Sequence, residues 1–138
     1  MEQELNLSGF NLMKHWKNVL RPENLHPNIV IFVDEPTLDN ALEIVEKYPF
    51  NTYTVISDKY VTGTNLSVRP TTDALDRLWK NADFFLCNDD NLKLEALASG
   101  VTVLETLEQL EQACESPAPD RYSRLDNFEK AKKLVESS

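Results

Sequence analysis

The sequence predicts an α/β domain: a doubly wound, parallel sheet of about five strands in the order 3-2-1-4-5, with helices on both faces. Three observations carry that expectation. Short apolar runs at 29–33, 53–56, 84–87 and 101–104 alternate with stretches of helical periodicity about 9 to 12 residues long. The runs at 29–33 and 84–87 are apolar throughout, as strands covered on both faces must be. Right-handed crossovers then leave little for such an alternation to form except a parallel sheet.

Taken in order, residues 9–20 carry Met13, Trp16, Val19 and Leu20 at helical spacing, with Phe10 just before, and predict an amphipathic helix. Pro22 and Pro27 mark 21–28 as a connector. The β-branched run 29–33 is the first strand. Asp34-Glu35-Pro36 ends it, and Thr37 is placed to cap a helix whose apolar positions are Leu38, Ala41, Leu42 and Val45, stopped at Tyr48-Pro49. Residues 53–56 form the next strand and 57–65 a loop. Leu66 and Val68 alternate with Ser67 and Arg69, which predicts a short edge strand before Pro70. Thr71 or Thr72 then starts a helix with Ala74, Leu75, Leu78 and Trp79 on one face.

The stretch 82–104 organises the rest. Strand 84–87 is followed by four competent N-caps (Asn88, Asp89, Asp90, Asn91), a helix over 91–98, a terminating Gly100 and a buried strand at 101–104. Thr106 and Gln109 have capping-box spacing ahead of Leu107, Leu110, Ala113 and Cys114. A last helix beginning near Ser123 buries Leu125, Phe128, Ala131 or the Lys132 stem, and Val135. In the expected order, the strands at 29–33 and 84–87 are adjacent at the switch point. Their carboxyl ends bring Asp34, Glu35, Asp89 and Asp90 to one crevice, where open α/β sheets bind ligands.

Composition bounds the function. A chain of 138 residues is one domain, and its apolar runs fall far short of the ~20 residues that span a bilayer. Met1-Glu2-Gln3-Glu4 is not a basic signal start, so a soluble protein is expected. Two cysteines are too few for a secreted disulfide framework, and a cytoplasmic setting follows. A net charge of −9 without a basic patch argues against nucleic acid. His15 and His26 lack partners at ligand spacing, so no zinc site is expected. Three glycines cannot build a glycine-rich phosphate loop, which disfavours nicotinamide and ATP chemistry.

The segment VRPTTDALDRLWKNADFFLCNDDNLKLEALASGVTVL resembles the carboxyl-terminal, donor-nucleotide half of GT-B fold glycosyltransferases. Upstream, IVIFVDEPTLDNALEIVEKYPFNTYTVISD resembles that half's first strand, helix and second strand. The likeness spans about residues 28–135, and its most specific part is Ala82-Asp83 together with 95–101, EALASGV. The resemblance implies a single Rossmann-like half-domain over 1–138, with 1–27 an N-terminal helix and connector. It implies a nucleotide-sugar donor, the ribose hydroxyls bonded by Glu95 and the diphosphate held by backbone N–H groups near Asn91, Leu92 and Lys93, where a helix start offers free donors and positive dipole. It also implies a second half-domain as partner, since these transferases react in a cleft between two halves.

Two departures from the family pattern bear on this. Cys87, Asn88 and Asp89 stand where the family has an acid and a Gly-aromatic-Gly loop, and Asp34 and Glu35 replace its basic residues. An acidic rim of Asp34, Glu35, Asp89 and Asp90 would repel a diphosphate by roughly several tenths to a few kcal/mol per acid at an effective dielectric of about 20, unless a divalent cation intervened. The alternative is therefore a catalytically degenerate relative that binds a protein partner. The acidic turn at 33–36 also resembles that of response-regulator receiver domains, with Asp89 as phospho-acceptor and carboxylates holding Mg²⁺. The long interval from Asp34 to Asp89, and the lack of a later strand ending in lysine, count against it.

Overall fold

The computed structural model describes residues 10–71 and 75–137. Its elements are a 3-10 turn (Leu12–His15), α1 (Trp16–Val19), β1 (Asn28–Phe32), α2 (Glu35–Glu46), β2 (Thr52–Ile56), β3 (Leu66–Arg69), a 3-10 helix (Leu75–Lys80), β4 (Phe84–Cys87), α3 (Asp90–Ala98), β5 (Thr102–Leu104), α4 (Leu107–Glu115) and α5 (Arg121–Glu136). The five strands are parallel in the order β3-β2-β1-β4-β5, as expected. Central β1 pairs with β4 from Ile29 opposite Phe84 to Phe32 opposite Cys87.

Alternation along the strands divides the core into two faces. Ile29, Ile31, Tyr53, Val55, Phe84 and Leu86 pack under α2 and α4, against Leu38, Ala41, Val45, Leu110 and Cys114. On the other face Val30, Phe85 and Cys87 meet Leu78, Trp79 and Ala96, and the Trp79 ring stands edge-on to Phe85. A further layer lies outside α3, where Leu94 and Ala98 pack on Ala131 of α5 and Trp16 meets Phe128 edge-on. The edge strand at 66–69, read from four alternating residues, is present and pairs with β2 from Tyr53 opposite Leu66.

Several local expectations are corrected. The cap of α2 is Asp34, not Thr37: its side chain accepts from the Thr37 amide, and Pro36, which lacks an N–H, occupies the first turn, where none is needed. The helix expected over 9–20 is only a 3-10 turn and one turn of α-helix, with Met13 and Leu20 exposed while His15 and Asn18 are buried. The stretch before β4 winds as a 3-10 helix over Leu75–Lys80; of the expected start at Thr71 or Thr72, Thr72 lies outside the described residues, as does Ala74 of the expected apolar face. The last helix begins two residues early, capped by Asp120 through the Ser123 amide. At α4 the capping box forms with a shift: Thr106 accepts from the Gln109 amide, while the Gln109 side chain reaches the amide of Glu105.

Candidate functional site

The crevice at the carboxyl ends of β1 and β4 exists. It has a volume of about 430 Å³ and is lined by Phe32, Val33, Asp34, Cys87, Asn88 and Asp89. Of the expected rim acids it gathers Asp34 and Asp89. Glu35 stands outside this lining in the first turn of α2, and Asp90 turns to a different groove.

Both acids in the crevice already have work. Asp34 caps α2, and Asp89 caps α3, its Oδ1 accepting from the Asn91 amide at 2.9 Å and the Leu92 amide at 3.2 Å. The Lys93 amide donates to the Asp89 carbonyl at 2.9 Å. The three N–H groups expected to hold a diphosphate are therefore bonded within the chain, two of them by a carboxylate in the position an anionic ligand would take.

The side chains disperse as well. Leu92 is partly buried against the core. Lys93 reaches Asp90 at 3.7 Å and Glu105 at 3.6 Å, so its charge is balanced on the β5 side of α3. Glu95 is half-buried one turn further along. The carboxylates do not assemble into a cation site: among the described residues no group of three or more His, Cys, Asp or Glu converges to hold a metal. Burial pushes the Cys87 thiol pKa up, away from the reactive thiolate, and its sulfur receives the Asp89 amide at 3.1 Å.

A second groove, of about 490 Å³, runs along the edge strand β5 between α3 and α5. Leu94, Leu97 and Val103 form its floor, and Lys93, Glu105 and Lys130 its charged border.

The opposite, amino end of the sheet holds a buried polar cluster that sequence reading missed. Asp83 is buried and accepts from Arg21 at 2.8 Å, from the Asn24 side chain at 2.9 Å and from the Asn28 amide at 2.9 Å. Arg124, also buried, donates to the carbonyls of Val19, Pro119 and Arg21. His15 Nδ1 lies 2.9 Å from Ser99 Oγ, which also accepts from Asn18. The one sequence signal for this cluster was Asp83 itself, a charge ahead of a wholly apolar strand.

Compared with protein-family models, with curated proteins and with solved structures, the chain finds no match. Among the described residues no helix is long and apolar enough to cross a membrane.

Proposed function

We propose that this protein is a glycosyltransferase-like half-domain that keeps the donor-binding scaffold without the donor chemistry and serves as a module for binding a protein partner. One observation carries the reading: the Asp89 carboxylate holds the Asn91 and Leu92 amides that a diphosphate would need. A ligand phosphate would have to displace that cap and enter beside Asp34, with no cation among the described residues of the crevice lining to balance its charge. The groove along β5 suits a peptide better. It offers an apolar floor, charges of both signs and β5, which pairs with a strand on one side only among the described residues, the setting in which extended segments add to a sheet. Buried, unpaired Cys87 and Cys114 suit a reducing compartment such as the cytoplasm.

A second reading, the nucleotide-sugar-binding half of a transferase that is active only with a second half-domain, is favoured by the crevice standing at the switch point. Amide spectra recorded with millimolar UDP- and GDP-sugars, with and without Mg²⁺, separate the two. The binding-module reading expects residues 88–95 to stay unmoved. Shifts concentrated there and abolished by Glu95→Ala would overturn it and assign the donor site.

A further inference from the structure

At the amino end of the sheet a cleft of about 660 Å³ is lined by Arg21, Pro22, Glu23, Arg121, Tyr122 and Arg124. Three of the chain's five arginines meet there, in a protein whose net charge is −9. Two of them are fixed. Arg124, 1 % exposed, is held by three carbonyls, and Arg21 by the Ala82 carbonyl at 2.6 Å and by Asp83.

The nearby acids are Asp83, paired with Arg21, Glu23, which lines the cleft, and Asp120, and each has further bonds to make. Asp83 also serves Asn24 and the Asn28 amide, Asp120 caps α5, and Glu23 accepts from the Arg121 backbone amide at 3.2 Å. Burial, followed by the neighbouring Arg21 charge, pushes the Arg124 pKa down, although Glu23 and Asp83 act against the shift. Independently of that, the Arg21 side chain is 9 % exposed and its Nε is buried with no acceptor. A buried donor without a partner is rare in a folded protein and leaves this guanidinium with an N–H free to donate.

We propose that this cleft is a binding site for a phosphate group, held by Arg21, Arg121 and Arg124 with the exposed ring of Tyr122 on its flank. Guanidinium groups present planar forks of donors that match phosphate oxygens. Because two of the three are already positioned by backbone carbonyls, binding orders little besides Arg121. The site lies at the other end of the strands from the crevice and stands independently of the function proposed above.

The test is a titration of the full chain with inorganic phosphate and with adenosine monophosphate, against sodium chloride at matched ionic strength, followed by amide spectra and thermal melting. The expected result is a saturable response at Arg21 and residues 121–124 to at least one of the two ligands, the pair distinguishing free from esterified phosphate. Arg121→Gln is the chosen variant, since Arg121 is exposed and its replacement leaves the buried bonds of Arg21 and Arg124 in place. It should weaken binding at least tenfold. If that variant unfolds, the guanidinium resonances of the unaltered protein decide: movement on adding either ligand supports the site, and unmoved resonances overturn it. A response to both ligands no greater than that to sodium chloride, or undiminished affinity in folded Arg121→Gln, also overturns it.

Discussion

Gly100 lies against Arg124. A β-carbon added to Gly100 would come within 2.8 Å of the Arg124 Cβ, and the glycine holds φ +82°, a conformation that other residues adopt at a cost. The turn from α3 into β5 and the seating of α5 therefore share one residue. Gly100→Ala should destabilise the protein by about 2 kcal/mol or more, combining backbone strain and overpacking. Urea denaturation should show this as a lower midpoint; an unchanged midpoint would mean that α5 can shift away.

Removing Arg21 leaves the Asp83 carboxylate buried with only amide partners. Breaking one side of a buried pair typically costs about 3–5 kcal/mol. Two remaining donors place Arg21→Ala near the lower end, about 3 kcal/mol, as measured by chemical denaturation at neutral pH.

The caps at Asp34 and Asp89 make similar bonds at different strengths, one amide at 3.3 Å against two at 2.9 and 3.2 Å. Each Asp→Ala change should cost about 1 kcal/mol, Asp89 the more, while Asp89→Asn, itself a good cap, should cost clearly less. Paired melting curves test the ranking, and Asn as damaging as Ala would remove the capping explanation.

Burial raises the thiol pKa of both Cys87 and Cys114. Neither should react with a colorimetric disulfide reagent at pH 8 within minutes in the folded protein, and both should react promptly once it is unfolded in guanidinium. Rapid labelling of the native state would show that one of the two faces of the sheet opens readily.

Asp120 has its carboxyl pKa held below the usual range by the amide and hydroxyl of Ser123. A lowered folded-state value contributes stability above the ordinary carboxylate pKa of about 3.9, and this is lost as pH falls through the folded value. Asp120→Asn should therefore lower stability at neutral pH, leave it nearly unchanged below the folded-state value, and so flatten the acid side of the stability profile.

The fold was legible because its signals are local. Uniformly apolar strands at 29–33 and 84–87, the glycine ending α3 and the Thr106–Gln109 pair each announce an element within a few neighbouring residues. Even so, the sequence points to Thr37 as the cap in place of Asp34, because a threonine before an apolar stripe suffices as a signal, while the cap is decided by where the chain leaves β1. The amino-end cluster shows in the sequence only as Asp83, a charge without a visible partner. Arg21 meets Asp83 across 62 positions, His15 meets Ser99 across 84, and Arg124 meets Val19 across 105. No spacing rule links residues so far apart; only the closed sheet brings them together. The site was half legible: topology located the crevice, but the sequence could not show that Asp89 closes the helix start beside it.

The bond from Arg124 to the Val19 carbonyl also has a meaning in time. During synthesis the stretch around Val19 leaves the ribosome more than a hundred residues before the arginine that clamps it, and Trp16 waits as long for Phe128. Until then the early helix can rest only on Ser99 at the end of α3 and on Asp83 before β4, so this stretch of the nascent chain should gain protease resistance in two stages, the second once α5 has emerged.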